Sequence, residues 1–275
     1  LTFGVAAQRH RNPMHAVSTA LYPIHEVFAS IQGEGLYVGE PQVFVRLSAC
    51  PLRCLWCDSP ETWKLPARAP AADELPKELG RTWSTAQEVA SYLESLDPSG
   101  RQTISVTGGE PLMWPDFLIE LRELLPERRL HLETAGAFPK SLARVLDVVD
   151  HVSSDLKLPA DLAAPVELDG PFEPAPKNSV DWSACRKQIL PMLNGRDACA
   201  KLVVAGERRL EDYEDLLRDH ALLAPDLPLY LQPVSPTRSV PGPQPVFLTQ
   251  LAELAATLGL LVRVVPQLHV HLGLR

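Results

Sequence analysis

Several large protein classes are excluded by what the sequence lacks. It contains no run of about 18 apolar residues, so no segment is expected to span a membrane. Residues 1–20 do not match a secretory signal, because charged residues and proline interrupt them. Basic residues are outnumbered, 26 against 34 acidic ones, so the net charge of −8 provides no general surface for nucleic acid. These absences predict a cytoplasmic protein that binds neither a membrane nor a nucleic acid.

Cysteine is also scarce, and its distribution is uneven. Of the five cysteines in 275 residues, Cys50, Cys54 and Cys57 fall within eight positions. Sulfurs that close in sequence rarely form a disulfide framework, and a reducing compartment does not preserve one. Cys185 and Cys199 have no close-spaced partner, so we expect them to be small buried side chains. The first three cysteines therefore require another explanation.

Proline, by contrast, is plentiful and marks two irregular stretches. Nine of the 27 prolines fall in residues 60–83 and 158–180, where neither a helical nor a strand period is visible. Both stretches are predicted to be loop insertions. Residues 1–20 are predicted to form a loose N-terminal arm, and residues 21–275 to form a single domain.

Outside these stretches, segments with strand and helix patterns alternate. The helix at 84–96 opens with a capping box formed by Thr85 and Glu88. Strands are predicted at 42–47, 103–107, 130–133, 148–153, 201–204, 228–232 and 261–265, and helices at 84–96, 115–125, 139–146, 210–222 and 246–258. Such alternation predicts an α/β protein with a mostly parallel sheet, and about seven strands fit a partial (β/α) barrel better than a complete one. In such sheets the chemistry lies at the carboxyl ends of the strands.

The three clustered cysteines follow the first of these strands with the spacing Cys-x3-Cys-x2-Cys. A structural zinc site needs four ligands, usually in two separated pairs, and no histidine lies nearby in the sequence to complete a set. A cubane iron–sulfur cluster suits three thiolates better, because three irons take Cys50, Cys54 and Cys57 while the fourth iron stays open. An open iron can bind a small molecule and pass an electron to it. The spacing therefore favours a 4Fe-4S cluster over zinc.

The cysteine loop and two later segments resemble the radical S-adenosylmethionine (SAM) superfamily. Trp56 stands before the last cysteine as in that superfamily, and residues 108–111 (GGEP) and 133–136 (ETAG) resemble its GGEP and Glu-Thr-Asn-Gly motifs. The resemblance implies a radical SAM partial barrel with a 4Fe-4S cluster and SAM as cofactors, whose reaction yields a 5′-deoxyadenosyl radical. It also implies contacts with SAM at Trp56, Cys57, Asp58, Gly109, Glu110, Ser154, Lys157 and Gln232. On the fourth strand the sequence departs from the superfamily motif, because residues 153–157 read SSDLK where many relatives have Ser-Pro-Lys. Ser154 and Lys157 are the residues taken to match that motif.

Further segments are similar to one family in that superfamily, 7-carboxy-7-deazaguanine synthase. They are residues 28–35 (FASIQGEG), Phe44-Val45-Arg46, Asp58-Ser59 in place of Asp-Thr, and Gln267-Leu268-His269 in place of Gln-Thr-His. The similarity runs from about residue 23 to residue 275, apart from the two proline-rich stretches. It implies a lyase that converts 6-carboxy-5,6,7,8-tetrahydropterin to 7-carboxy-7-deazaguanine with loss of ammonia, a step of queuosine and deazapurine synthesis.

The same resemblance implies how the substrate, a metal ion and partners are held. Arg46 is expected to bind the substrate carboxylate, and the terminal carboxylate of Arg275 is expected to accept hydrogen bonds from the pterin. The full set of implied substrate contacts is Ile31, Gln32, Gly33, Arg46, Thr107 and Arg275. The hydroxyl of Ser59 is expected to bind Mg2+. The implied partners are a second copy of the chain in a homodimer and an electron donor such as flavodoxin or ferredoxin.

Two other functions remain open on the sequence. Another radical SAM enzyme, such as an activase that makes glycyl radicals, would share the cluster and the GGEP motif but not QGEG or the tail. An iron–sulfur electron carrier or a zinc-binding module without catalysis has little use for an open iron or for a barrel of this size. Binding of SAM separates an enzyme from a carrier, and turnover of the carboxypterin separates the two enzymes.

Overall fold

Strands and helices alternate along most of the chain. The structure is a computed structural model that describes residues 18–66, 80–206, 208–236 and 240–274, and only the backbone of residues 80 and 81. The strands are β1 (Tyr22–Ile31), β2 (Pro41–Leu47), β3 (Arg53–Cys54), β4 (Gly80–Ser84), β5 (Thr103–Gly108), β6 (Leu130–Thr134), β7 (His151–Asp155), β8 (Leu162–Ala163), β9 (Ala198–Val204), β10 (Leu229–Pro233) and β11 (Val262–Val264). The helices are α1 (Ala86–Leu96), α2 (Pro115–Leu124), α3 (Pro139–Val145), α4 (Ser179–Leu193), α5 (Glu211–Leu223), α6 (Pro245–Thr257) and α7 (Leu268–Leu272).

Nine of these strands form one sheet, in the order β11-β10-β9-β7-β6-β5-β2-β1-β4. Seven neighbouring strands of this sheet are parallel to one another, namely β2, β5, β6, β7, β9, β10 and β11. At one end of the sheet, β1 pairs antiparallel with both β2 and β4. All seven predicted strands are present among the parallel ones, although the strand predicted at 148–153 is observed at His151–Asp155. The predicted α/β class with a mostly parallel sheet is confirmed.

Four of the described strands (β1, β3, β4 and β8) and two of the described helices (α4 and α7) were missed by the sequence analysis. β1 is buried on both faces over most of its length, so it shows no alternation of polar and apolar residues. β4 lies inside the stretch 60–83 that was predicted to be a loop, and it pairs with β1. α4 carries Pro191 inside its last turn, which obscured its helical pattern. The predicted loop 158–180 therefore gives way to a helix at Ser179.

The five predicted helices are all present, and local sequence signals account for several of their ends. Thr85 caps α1, with its hydroxyl accepting from the Glu88 amide and the Glu88 carboxylate accepting from the Thr85 amide. Pro115, Pro139 and Pro245 stand in the first turns of their helices, where no backbone N–H is needed. No helix in the described part of the chain is long and apolar enough to cross a membrane.

The parallel strands present different chemistry on their two sides. In β6, Leu130 and Leu132 belong to the apolar core, whereas His131 between them bonds polar side chains of neighbouring strands. The same alternation runs through β5, β7 and β9, so the polar side is continuous from strand to strand. The curved sheet thus buries leucine and valine on the outer side and surrounds a polar interior, called the lumen below.

The connection between β1 and β2, residues 32–40, enters that lumen and is called the lumen loop below. Gly35 has a φ of +65°, and a Cβ there would lie 3.2 Å from both the Cys199 Sγ and the Ser153 Oγ. Glycine is therefore required for the loop to approach the strands. Glu34 of this loop reaches Lys201 on β9, and Tyr37 reaches Asp197 just before β9. The loop consequently forms the floor of any cavity at the carboxyl ends of the strands.

Candidate active site

A cavity opens at the carboxyl ends of the parallel strands. Its empty space measures about 1190 Å³ when the solvent in its open mouth is included. Of the residues predicted to bind cofactor, substrate or metal, those lining it are Ile31, Gln32, Gly33, Arg46, Cys50, Cys54, Trp56, Cys57, Asp58, Ser59, Thr107, Gly109, Lys157 and Gln232.

The cysteine loop follows β2 and forms one wall of the cavity. Its Ala49 has a positive φ of 76°, and the Ala49 amide donates to the Thr62 carbonyl over 2.8 Å. Two residues of the loop form β3, which pairs with β8 in the register Cys54 to Leu162. The stretch after Pro159, predicted to be a mere insertion, thus holds the cysteine loop in place by backbone hydrogen bonds.

The three thiols converge on one wall of the cavity. Cys50, Cys54 and Cys57 all line it and together offer three sulfur ligands. A structural zinc site takes four protein ligands, whereas a 4Fe-4S cluster with one open iron takes three thiolates. Within the described residues, one set of three ligand groups lies within 4.8 Å, namely Glu34, Asp58 and His269, and it contains no sulfur.

Burial disfavours free thiolates at this site. It raises the pKa of the Cys50 thiol to about 12, and it also raises the pKa values of Cys54 and Cys57. Iron would replace the thiol protons and compensate the buried negative charge. The residues present therefore fit a 4Fe-4S cluster, which takes Cys50, Cys54 and Cys57 as ligands.

The two glycines at the end of β5, Gly108 and Gly109, allow that strand to touch the cysteine loop. A Cβ on Gly109 would lie 2.3 Å from the Ala49 carbonyl oxygen, and one on Gly108 would lie 2.2 Å from the Leu47 carbonyl oxygen. Backbone hydrogen bonds use this closeness, from Gly109 to Leu47 at 2.8 Å and from Glu110 to Ala49 at 2.9 Å. Gly109 also lines the cavity, so its bare backbone faces the space predicted for SAM.

Glu110 does not line the cavity, contrary to the contact expected from the sequence. It is fully buried, and its carboxylate accepts hydrogen bonds from the Leu112 amide, the Thr134 hydroxyl and the Ala135 amide. These partners lie on two successive strand-end loops. Burial raises the pKa of Glu110, although the three donors oppose that shift. Glu110 therefore holds these two loops of the cavity wall together from their buried side.

Ser154 is the second predicted contact that the structure turns away from the cavity. It is buried on β7 between Ser153 and Asp155, which face the lumen, so the alternation of the strand directs Ser154 to the helix side. Lys157, by contrast, lines the cavity with its Nζ 4.2 Å from the Trp56 ring centroid. In this segment, where the sequence SSDLK replaces the Ser-Pro-Lys of many relatives, Lys157 therefore lines the cavity and Ser154 does not.

Lys157 carries a charge in spite of its burial. Burial lowers its pKa, but the Asp155 carboxylate, which lies 2.5 Å from its Nζ, outweighs this and raises the pKa. The Trp56 indole N–H beside it is buried and has no partner among the described atoms. A cation and an unused donor thus face the same wall, and both suit a ligand that brings acceptor groups.

The floor of the cavity is an ion pair that the sequence analysis did not predict. The Glu34 carboxylate accepts from the Lys201 ammonium at 2.6 Å and from the Gln232 and Gln267 amides at 2.9 and 2.8 Å. Burial raises the pKa of Glu34, but Lys201 outweighs it, and the pKa falls to about 2. The available signal was a lysine in the middle of the otherwise apolar strand β9.

Gln32 and Glu133 continue the floor toward β5 and β6. The Gln32 amide donates to Glu133 Oε1 over 2.8 Å, and the Ser105 hydroxyl donates to the same oxygen over 3.0 Å. Glu133 lines the cavity, and the Lys201 ammonium lies 3.8 Å from its other oxygen. The ETAG segment therefore places its carboxylate in the site.

Arg46 points into the opposite side of the cavity. Its Nε donates to the Glu26 carboxylate over 2.9 Å, and its guanidinium carbon lies 5.6 Å from the Phe28 ring centroid. The register of β1 with β2 shifts between Ile24 and Glu26, and this irregularity sets Glu26 opposite Arg46. Arg46 lines the cavity, and a guanidinium there suits a carboxylate.

The C-terminal segment closes over the lumen loop. The Leu268 amide donates to the Gly33 carbonyl over 3.0 Å, and the Gln267 amide reaches Asp58 at 3.3 Å. A Cβ on Gly33 would lie 1.9 Å from the His269 ring nitrogen, so only glycine leaves room for this contact. Arg275, the predicted contact of the terminal carboxylate, lies outside the described residues.

Oxygen donors gather where the cysteine loop meets this segment. The Ser59 hydroxyl lines the cavity and donates to Asp58 over 3.1 Å. Asp58 belongs with Glu34 and His269 to the set within 4.8 Å noted above. Hydroxyl and carboxylate oxygens are the ligands that Mg2+ prefers, so the residues present fit a partly hydrated Mg2+.

Comparison with known proteins gives three kinds of match. The model of the radical SAM superfamily matches residues 45–167. The chain is 36% identical to the 7-carboxy-7-deazaguanine synthase of Methanothermobacter thermautotrophicus, over 92% of this chain and 98% of that protein. It is 33% identical to the enzyme of the same name from Geobacter sulfurreducens, over 91% and 96%.

Solved structures share the fold. Escherichia coli QueE aligns with a TM-score of 0.53 at 24% identity, covering 90% of this chain and 95% of that one. A radical SAM methyltransferase from Sphaerobacter thermophilus aligns with a TM-score of 0.54 at 16% identity, covering 89% of this chain and 77% of that one. At such identities the likeness concerns the fold, and it agrees with the predicted partial barrel.

Proposed function

Because the chain belongs to the 7-carboxy-7-deazaguanine synthase family of the radical SAM superfamily, and is thus a radical SAM lyase, we propose that it acts on the family's pterin. The reaction is the conversion of 6-carboxy-5,6,7,8-tetrahydropterin to 7-carboxy-7-deazaguanine with loss of ammonia. The observation that carries this proposal is one cavity that combines the three-cysteine wall, the Arg46 fork and a polar floor.

The cofactor half of the cavity is the wall of the cysteine loop. A 4Fe-4S cluster with SAM supplies, when bound, the 5′-deoxyadenosyl radical that abstracts a hydrogen atom from the substrate. Trp56, Gly109 and Lys157 line this wall and bound the space for SAM. The Lys157 ammonium offers a charge-assisted donor to a carboxylate, and the bare backbone of Gly109 allows close approach of an amino acid portion.

The substrate half lies between Arg46 and the floor. Arg46 binds the pterin carboxylate through its outer guanidinium nitrogens, while Glu26 holds the inner nitrogen and fixes the angle of the fork. The pterin ring presents donors and acceptors along its edge, which the Gln32 amide and the backbone around Gly33 match. The segment from Gln267 to His269 covers this half and excludes water.

Mg2+ completes the proposed site at Ser59. Its hydroxyl faces the cavity, and the neighbouring Asp58 carboxylate adds a second oxygen. Mg2+ usually takes one or two protein ligands and fills its other positions with water and substrate oxygens. Ser59 and Asp58 would hold the ion, which would supply positive charge to an oxygen of the substrate.

The proposed partners are an electron donor such as flavodoxin or ferredoxin and a second copy of the chain. Cys54 and Cys57 are half-buried, and Leu55 between them is 53% exposed, so an electron donor can approach the cluster from this side. Val264 of the edge strand β11 and the adjacent Leu261 are exposed, which suits contact with another subunit. The proposed setting is the cytoplasm, where thiols stay reduced.

The reconstituted enzyme, SAM, a reductant, Mg2+ and the carboxypterin test the proposal in one assay. Mass spectrometry should detect 7-carboxy-7-deazaguanine, with one ammonia released per product. The matched variant Arg46→Gln should keep its cluster and its SAM binding but raise KM about 10- to 100-fold, because a charge-assisted fork is lost. SAM cleavage without any product from the pterin would assign the chain to another radical reaction.

A further inference from the structure

A line of polar side chains runs through the lumen beneath the cavity, and no step derived so far uses it. Its members, called the lumen column, are Asp197, His151, Ser153, His131, Ser105 and Glu133. We propose that the lumen column is a proton relay, which carries a proton from Glu133 in the cavity to water at the opposite end of the barrel. Apart from Glu133, its members do not line the cavity.

Every link of the column is within hydrogen-bond distance. At the far end, Asp197 Oδ1 lies 2.8 Å from His151 Nδ1, and His151 Nε2 lies 3.3 Å from Ser153 Oγ. Ser153 Oγ is in turn 2.9 Å from His131 Nε2. The two histidines are thus joined through one hydroxyl group.

Toward the cavity, the column passes through a second hydroxyl. His131 Nδ1 lies 3.5 Å from Ser105 Oγ, the longest link, and Ser105 Oγ lies 3.0 Å from Glu133 Oε1. All these side chains face the lumen because β5, β6 and β7 are in register, with Ser105 opposite His131 and His131 opposite His151. The register of the sheet itself therefore builds the path.

Asp197 dictates the direction in which the links are polarised. Its ionised carboxylate only accepts hydrogen bonds, so His151 must carry its proton on Nδ1 and leave Nε2 as an acceptor. The Ser153 hydroxyl then donates to His151 and accepts from the Nε2–H of His131. This leaves the lone pair of His131 Nδ1 directed toward the cavity end, ready to receive a proton.

The charges around the histidines keep them neutral between transfers. Burial lowers the pKa of His131, and His151, Lys201 and Arg129 lower it further. Burial also lowers the pKa of His151, although its hydrogen bond to Asp197 opposes the shift. A neutral imidazole can accept a proton on one nitrogen and release another from the opposite nitrogen, as a relay requires.

The two ends of the column meet different surroundings. Glu133 lines the cavity, where the Gln267 side chain reaches across to Glu34. Asp197 has 41% of its side chain exposed and also accepts from the Tyr37 hydroxyl, at 2.8 Å from Oδ2. A proton released while the substrate fills the cavity therefore has a separate route to water, at Asp197.

The use of this path rests on the proposed function. Elimination of ammonia from a protonated amine breaks one C–H and one C–N bond: the C–H pair forms the new double bond, and the C–N pair leaves with nitrogen as NH3. The proton from carbon goes to the Glu133 carboxylate. It then moves to His131 through Ser105, while His131, Ser153 and His151 each pass on a proton, and Asp197 gives one to water. Glu133 is restored while the product is still bound.

Removal of one hydroxyl tests the relay in the reconstituted enzyme. Ser153→Ala should lower kcat about 100-fold, leave KM unchanged and enlarge the solvent deuterium isotope effect, because proton transfer becomes rate-limiting. Cys199→Ala is the matched control. Its Sγ lies 3.3 Å from the Ser153 Oγ and 3.9 Å from His151 Nε2, but it has no hydrogen bond to His131 among the described residues and so does not join the two histidines. Wild-type kcat and isotope effect in Ser153→Ala, or an equal loss in Cys199→Ala, would overturn the relay.

A second readout needs no turnover and separates the relay from the proposed function. Nitrogen-15 NMR of histidine-labelled full-length protein at neutral pH should find His131 as the Nε2–H tautomer and His151 as the Nδ1–H tautomer. The opposite tautomers, or a charged His131, would refute the wiring. Failure of the wild-type enzyme to make the deazapurine, with these tautomers present, would refute the proposed reaction instead.

Discussion

The wall and the floor of the cavity are built in different ways. The wall comes from two short motifs, the cysteine loop and the glycines at the end of β5, which backbone hydrogen bonds hold together. The floor joins Glu34 to Lys201, Gln232 and Gln267, which lie on separate elements far along the chain. A wall of this kind can be read from a short motif, whereas such a floor exists only after the whole sheet has assembled.

Removal of any one of the three thiols should abolish the cofactor chemistry at the wall. Replacing Cys50, Cys54 or Cys57 by Ala should abolish SAM cleavage, because a cubane that keeps an open iron needs all three thiolates. Cys185→Ala and Cys199→Ala are the controls and should retain it. Iron and sulfide analysis should give about four of each per wild-type chain. Two irons per chain, or tightly bound zinc, would contradict the assignment.

Breaking the ion pair of the floor should lower the stability of the protein rather than its cofactor binding. Lys201→Met should cost about 3–5 kcal/mol in free energy of unfolding, because it leaves Glu34 buried without its cation. Denaturant unfolding of the cofactor-free protein measures this. The double variant Glu34→Gln with Lys201→Met should recover much of the loss. A single Lys201→Met variant as stable as the wild type would show that the pair is not coupled.

Acid should weaken the floor within a defined range. The pKa of Glu34 falls from 4.5 to about 2 on folding, so its ionised form stabilises the protein above pH 4.5, and this contribution disappears as the pH falls toward 2. The difference is on the order of 3 kcal/mol. Unfolding free energies of wild type and Glu34→Gln, measured from pH 6 down to pH 2, should therefore converge. A constant difference would contradict the low pKa.

The cover over the floor should affect substrate affinity more than cofactor chemistry. Deletion of Leu274 and Arg275, or a C-terminal tag, should raise KM about 10-fold or more with the cluster spectrum unchanged, because the terminal carboxylate is displaced. Arg275→Ala keeps a terminal carboxylate and should change KM much less. Equal kinetics for the truncated and complete chains would show that the last two residues are not used.

The smallest effect is expected where wall and floor meet. Ser59→Ala should reduce the stimulation of turnover by Mg2+ several-fold, since other oxygens still hold the ion, and should leave the cluster spectrum intact. Ser59→Thr keeps the oxygen and should retain most activity. A Mg2+ titration of the three proteins checks this. The same stimulation in wild type and Ser59→Ala would rule out the ligand role.

The contrast also explains what could be predicted from the sequence. Local signals, such as the capping box at Thr85 and the prolines that begin helices, predicted most helices and most strands. Spacing alone predicted the cysteine wall. Glu110 and Ser154 do not line the cavity, because a motif tells which residues are needed but not which way each side chain faces. Lys201 was missed, because its partners Glu34 and Asp155 are 167 and 46 residues away from it in the sequence.

The contact between Gly33 and His269 sets the time at which the cavity can be finished. The ribosome delivers His269 only after all the described strands have been made, so the lumen loop waits through their synthesis without its cover. The cysteine loop and its neighbours in β2 and β5 are complete much earlier. A nascent chain thus exposes its thiols before it can enclose a substrate, which leaves a period for assembly factors to load iron and sulfide.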